Sequence, residues 1–257
     1  MRFCLVCGRP ADSKEHYIPK WLSEATGRGN DPLIFGTVAG SDILSQTPRG
    51  TSLGATHRNL CERCNNGLGE KLEGPVCGFL SPLVGSGPAP ELTAYLNALV
   101  PREMNQLAWW ALLRAIQLNE QIANPRICGA HRDAILAGLA EIIDGKLPSP
   151  PSATHVQAAQ AKAPEWGFML SPNLYDRYRD MIVKHTGSYL WSMQANSLLL
   201  AAAHAPEAQV LRDSGWGYGV HPFSSRAMEP YQDMRDMVGK SHIDTRAAKI
   251  FGFMKYR

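Results

Sequence analysis

The chain lacks any long apolar run; its longest, Leu198 to Ala203, is far too short to span a bilayer. It also lacks an excess of one charge. Lys and Arg number 26 against 23 Asp and Glu, for a formal net charge of +3 and a pI near 8.5. The basic residues are scattered, which permits a polyanionic partner without the clustered footprint of a dedicated nucleic-acid binder. Internal repeats and low-complexity tracts are missing, and beyond Pro75 there is neither a Gly-rich phosphate loop nor a nucleophile elbow. No apolar stretch of signal length follows the opening Met1-Arg2-Phe3-Cys4. The expected setting is therefore a reducing cytoplasm, where paired cysteines bind metal more often than they form disulfides.

A chain of 257 residues, 44% of them apolar, can bury a core without disulfide staples. The six cysteines need another job. Four of them form two C-x-x-C pairs, Cys4/Cys7 and Cys61/Cys64. Four soft thiolates suit a closed tetrahedral zinc site, and a short C-x-x-C turn offers both sulfurs to one ion. The intervening stretch, residues 8–60, is longer than the spacer of a simple zinc ribbon and has room for a hairpin and a loop. Cys77 and Cys128 read as ordinary buried cysteines, with His131 an incidental neighbour of Cys128.

The periodicity predicts a short helix within Tyr17–Ala25, limited by Pro19, and short strands at Leu33–Phe35 and Ile43–Leu44. A helix over Asn65–Glu73 is expected to stop at Gly74-Pro75, where a Gly/Pro-rich linker to Pro90 begins. Pro101–Asn124 is the clearest helix, with Leu107, Trp110, Leu113, Ile116 and Leu118 on one face. Arg132–Asp144 is a second. Further on, His155–Ala161 and Trp166–Leu170 read as strands and Asn173–Val183 as a helix. Tyr189–Gln194 and Ser197–Ala203 read as a hairpin turned at Ala195-Asn196, and Ala205–Asp213 as another helix. The expected class is α+β: a zinc-stapled module over residues 1–75, then a mixed helical and antiparallel-strand region over 76–257. Trp109, Trp110, Trp166, Trp191 and Trp216 read as core or interface residues, and His185, His204, His221 and His242 lack metal-ligand spacing.

Chemistry concentrates in the first part. Glu15-His16 sets a carboxylate, which can hold a hard cation, beside an imidazole, which can take a proton from water near neutral pH. Asn65 follows Cys64 directly, and its amide oxygen is a neutral hard donor that the neighbouring zinc ligand would fix in space. Singly, a surface histidine and a locally bonded helix asparagine are the simpler readings. The combination is more specific. Cys4, Cys7, Glu15, His16, Pro19, Trp21, Leu22, Cys61, Cys64, Asn65, Gly67, Leu72 and Glu73 spell C-x-x-C…E-H-x-x-P-x-W-L…C-x-x-C-N-x-G-x-x-x-x-L-E. This resembles the HNH endonuclease family, in its bacterial and phage branch.

The resemblance implies a treble-clef, ββα-metal core that hydrolyses phosphodiester bonds in DNA. By position, His16 is the general base, and Glu15 and Asn65 hold a catalytic Mg²⁺ or Mn²⁺. Cys4, Cys7, Cys61 and Cys64 hold a separate structural zinc. Many members of the family have Asp at the place of Glu15 and His at the place of Asn65. The middle Asn of the motif has no clear match; His57 and Asn59 are both candidates for its bracing role. Lys14, Lys20, Arg58, Arg63 and Lys71 are candidate phosphate contacts, each equally readable as a solvated charge. No helix offers a base-reading face, so strong sequence specificity is not expected. The competing reading is a non-catalytic zinc module that binds nucleic acid or protein.

Overall fold

Asp12 and the first cysteine knuckle set the frame of the N-terminal part. The computed structural model describes residues 2–39, 42–84, 99–121, 127–151, 154–171, 174–176, 181–183, 189–204 and 251–256. In it the Leu5 N–H donates to the Asn59 carbonyl at 2.9 Å and the Ser13 N–H to the Leu60 carbonyl at 3.3 Å, so the two knuckles are tied through the backbone. A two-residue strand β1 (Glu15–His16) pairs antiparallel with β4 (Thr56–His57), Glu15 lying opposite His57. Between them come helix α1 (Lys20–Ala25) and the antiparallel strands β2 (Pro32–Ala39) and β3 (Asp42–Thr51), both longer than the sequence suggests. Proline cannot donate a backbone hydrogen bond, and α1 accordingly begins after Pro19.

Helix α2 (Glu62–Leu68) follows Cys61, and the Asp12 carboxylate accepts its first N–H, that of Glu62, at 2.9 Å. The expected stop at Gly74-Pro75 does not occur. A wide π-type turn over Gly69–Glu73 leads directly into α3 (Gly74–Val84). Pro75 lacks an N–H, and the irregular turn is where regular helical bonding lapses. The Gly/Pro-rich stretch is thus helical as far as Val84, and Val76, Leu80 and Val84 are fully buried in it. One cluster of buried side chains takes members from both sides of residue 75, among them Ile18, Leu22, Leu68 and Leu72 with Leu107, Trp110 and Ile142.

The core is organised around α4 (Pro101–Asn119). Glu103 accepts the Val100 N–H at 2.9 Å and caps its start. From Gln106 to Asn119 every residue of this helix is buried. A helix covered on all sides must satisfy its polar side chains internally. Asn119 does so by exchanging two bonds with the Ile127 backbone, at 2.8 and 3.2 Å. Arg114 and Gln117 turn to the N-terminal part, as described below.

Helix α5 (Gly129–Ile143) crosses α4 at a glycine. A Cβ on Gly138 would lie 2.0 Å from Cη2 of Trp109, whose indole N–H donates to the Pro148 carbonyl at 2.7 Å. Gly138→Ala is therefore expected to destabilise the protein by about 1–3 kcal/mol through overpacking, despite the roughly 1 kcal/mol that alanine gains in helix propensity. Urea denaturation measures this; an unchanged or raised midpoint would contradict the crossing. Gly67, part of the quoted motif, makes a milder approach, with its notional Cβ 3.2 Å from Ile143. It lets α2 lie against the end of α5.

A five-stranded antiparallel sheet, in the order β3-β2-β9-β5-β8, contains the two strands above with β5 (Thr154–Ser171), β8 (Tyr189–His204) and β9 (Phe251–Tyr256). The α+β class is as expected, but three local expectations fail. Residues 155–161 and 166–170 belong to one strand. The Asn173–Val183 helix is replaced by the short paired strands β6 (Leu174–Asp176) and β7 (Met181–Val183). The hairpin at Ala195-Asn196 is absent, because β8 runs straight through it. Asn196 adopts a left-handed conformation (φ 53°), and pairing with β5 is irregular there, between Gln160 and Glu165. Tyr189, Trp191, Met193 and Ala195 are buried before it, and Leu198, Leu200 and Ala202 after it. The buried set thus changes from odd to even positions at a bulge. Asn196 also donates to the Val84 carbonyl at 2.7 Å, tying the sheet to α3.

Among the described residues no helix is long and apolar enough to cross a membrane. The Ala205–Asp213 helix, Trp216, His185, His221 and His242 lie outside the described residues, and so does the side chain of Trp166.

Candidate metal centre and adjoining cleft

The sulfurs of Cys4, Cys7, Cys61 and Cys64 all lie within 4.8 Å of one another, the one group of three or more converging His, Cys, Asp or Glu ligands among the described residues. Cys7 Sγ and Cys61 Sγ are 3.5 Å apart. Tetrahedral zinc, with Zn–S bonds of about 2.3 Å, sets its sulfurs roughly 3.8 Å apart. The four thiols therefore fit a structural zinc with only small adjustments. Cys4, Cys61 and Cys64 are buried and Cys7 is exposed.

Packed together, the thiols ionise unequally. Burial raises Cys7, but a backbone hydrogen bond at Arg9 and its sulfur neighbours outweigh this and bring it down to about 7. Cys61 and Cys64 are pushed up, first by burial and then by facing the other sulfurs. A cation that stabilises all four thiolates removes the conflict.

Beside this centre lies a cleft of about 330 Å³, lined by Glu15, His16 and Asn65 with Lys14, Pro19, Lys20, Asn66, Gly69, Glu70, Glu73 and Arg114. The three predicted site residues thus share one cavity, reached from β1 and α2. Asn65 is held from both ends: its backbone N–H donates to the Cys61 carbonyl at 2.9 Å, and its side-chain amide donates to Ser13 Oγ at 2.9 Å. The amide oxygen is the end left to act as a donor atom. On His16 the Nδ1 atom is buried with no hydrogen-bond partner.

Glu15 is the most constrained of the three. It is 7% exposed, and its Oε1 accepts from Arg114, at 3.4 Å, and from the Gln117 amide. Burial raises the Glu15 carboxyl; the Arg114 guanidinium and Gln117 pull it back, while Glu73 pushes it further up. Arg114 also binds Glu73 through its other terminal nitrogen. Its charge is thus shared between two carboxylates, and its guanidinium lies 5.7 Å from the Trp110 ring centroid. Arg114 and Gln117 are residues that sequence reasoning missed. Between Leu107 and Leu118 they are the only charged or amide side chains, which marks them as polar groups in need of a partner but does not say which. Glu73 was visible as part of the motif, but without a role.

Both bracing candidates are buried. His57 packs against Tyr17 with the rings tilted at 44° and centroids 4.6 Å apart, and burial, with Arg114 next in effect, lowers it to about 3. Asn59 holds the first knuckle through its carbonyl and accepts from Gln121 at 3.4 Å. Among the candidate phosphate contacts, Lys14 and Lys20 line the cleft. Lys20 pairs with Glu24 at 3.6 Å, Lys71 with Glu70 at 2.9 Å and Arg63 with Asp144 at 3.6 Å.

Cys128 is exposed and Cys77 half-buried, so neither is the buried cysteine expected. At the N-terminus of α5 a cysteine needs no apolar pocket. His131 instead stacks on His204, with centroids 3.5 Å apart, and bonds the Tyr189 hydroxyl at 3.1 Å. Burial first, then His204, lowers His131 from 6.5 to about 3. The folded protein takes up fewer protons there than the unfolded chain, so this contribution is complete above pH 6.5 and is lost as the pH falls toward 3. His131→Gln is expected to flatten the fall in urea midpoint across that window; an unaltered slope would remove His131 from the acid response.

No family model, no characterised protein and no solved structure matches this chain.

Proposed function

We propose that the protein is a metal-dependent endonuclease of the HNH type, hydrolysing phosphodiester bonds in DNA. One observation carries this reading: Glu15, His16 and Asn65 line a single open cleft against the four-cysteine centre. The order β1, β4, α2 agrees with a ββα-metal unit, and the two cysteine knuckles, the second leading into α2, agree with a treble clef.

The donor set fits a hard divalent cation. Glu15 Oε2 is buried without a hydrogen-bond partner, a state that costs free energy unless something compensates it. With the Asn65 amide oxygen it would hold Mg²⁺ or Mn²⁺, which supplies neutralisation of charge developing at the scissile phosphate. His16 Nδ1, unengaged by protein, takes the proton from the attacking water. Lys14 and Lys20 meet the DNA backbone at the cleft, so binding weakens with salt. Asn65 and Glu15 are held in place by Ser13, Gln117 and Arg114. The zinc does no chemistry, since four thiolates leave it no open position.

A second reading has its own support. The Arg114 ion pairs give Glu15 a structural explanation that needs no cation, as in a non-catalytic zinc module binding nucleic acid or protein. Incubation of zinc-loaded protein with supercoiled plasmid and Mg²⁺ or Mn²⁺ separates the two. Nicking that disappears on chelation of the added cation is expected; an intact plasmid with every cation tried leaves the binding module.

A further inference from the structure

Glu15 belongs to β1, yet both protein groups on its carboxylate come from α4, about a hundred positions further along the chain. The bonding is directional. Arg114 Nη1 donates to the Gln117 amide oxygen at 2.9 Å, so the Gln117 carbonyl faces the guanidinium and its NH₂ group faces Glu15. The NH₂ group and Nη1 then converge on one carboxylate oxygen, Oε1. Arg114 is fixed in turn by Glu73 and by the Trp110 ring, and it is 4% exposed. The other oxygen, Oε2, has no hydrogen-bond partner although it is buried. Either oxygen of a free carboxylate can serve as a cation ligand, and rotation of the group exchanges them. Here two donors on Oε1 prevent the exchange.

We infer that Arg114 and Gln117 are positioning residues that clamp Glu15 by Oε1 and so present Oε2 alone to a hard divalent cation in the cleft. The inference rests on the endonuclease reading and extends its site beyond the motif, onto α4. It accounts for an arginine and a glutamine within residues 107–118, a fully buried stretch of α4 whose other side chains are apolar. Outer partners of metal-binding carboxylates typically change metal affinity 10–100-fold when removed. Held through Oε1 only, Glu15 would offer a hard cation a single oxygen, with the Asn65 amide oxygen as the other protein donor at the cleft.

The test measures Mn²⁺ binding by electron paramagnetic resonance on zinc-loaded full-length protein, together with DNA cleavage kinetics. Gln117→Leu keeps the volume and removes the donor. It is expected to weaken Mn²⁺ binding by at least about tenfold and to lower kcat, with KM for DNA, zinc content and thermal midpoint near those of the parent. Unchanged Mn²⁺ affinity in the folded variant overturns the clamp. Parent protein whose Mn²⁺ binding is insensitive to Glu15→Gln overturns the endonuclease reading, and the clamp with it. If Gln117→Leu does not fold, a crystal structure of the parent with Mn²⁺ decides: an ion on Oε2, with Arg114 and Gln117 still on Oε1, supports the clamp, whereas an ion on Oε1 or on both oxygens overturns it.

Discussion

Cys64→Ser is expected to abolish zinc binding and to unfold the N-terminal part of the protein. Cys64 is 2% exposed and belongs to the same buried cluster as Leu60, Leu68 and Leu72. The local backbone there offers little to hold it otherwise: β1 and β4 contribute two residues each, and α2 only seven. Elements this short are not stable by themselves. Structural zinc supplies on the order of 10–16 kcal/mol of apparent binding free energy in small modules, against a typical whole-protein stability of about 5–15 kcal/mol. Loss of the ion therefore matters on the scale of the entire fold. Metal analysis of the purified variant should fall from about one zinc per chain to near none, with a lower thermal midpoint and loss of helical circular dichroism. A variant that keeps its zinc, or that loses it and melts like the parent, would show that the four sulfurs do not hold the fold.

His16→Ala is expected to reduce DNA cleavage by about 10²- to 10⁴-fold, the usual worth of a positioned general base. This corresponds to roughly 3–5 kcal/mol of transition-state stabilisation. The loss should fall mainly on kcat, because Lys14 and Lys20, the proposed phosphate contacts, remain in the cleft. Zinc content and melting should stay close to those of the parent, since His16 is only partly buried and its Nδ1 supports no neighbour. Cleavage at the parent rate by a zinc-loaded His16→Ala protein would exclude His16 as the base.

The four-cysteine cluster and the residues of the cleft were legible because their signals are local. C-x-x-C is a single turn, and Glu15-His16 and Cys64-Asn65 are adjacent pairs, so spacing in sequence approximates spacing in space. The partners of Glu15 were not legible for the opposite reason. Arg114 and Gln117 reach it through tertiary packing of α4, which no local pattern encodes. The main helices were found from their apolar period. Two boundaries were misplaced by residues that normally punctuate structure: Gly74-Pro75 sits inside a helical run, and Ala195-Asn196 inside a strand. In each case the surrounding contacts override the local preference, through burial of Val76 and Leu80 in one and pairing with β5 in the other.

The left-handed residue in β8 has one more implication. Side chains alternate strictly along a strand, so a single extra position inverts everything beyond it. Were position 196 to take ordinary extended geometry instead of its left-handed one, strict alternation beyond Ala195 would leave Tyr189 to Ala195 in place and turn the far half of β8 over. Leu198, Leu200 and Ala202, all fully buried, would then leave the interior. One asparagine thus acts as a phase setter, deciding which aliphatic residues of the stretch from Ser197 to His204 belong to the interior.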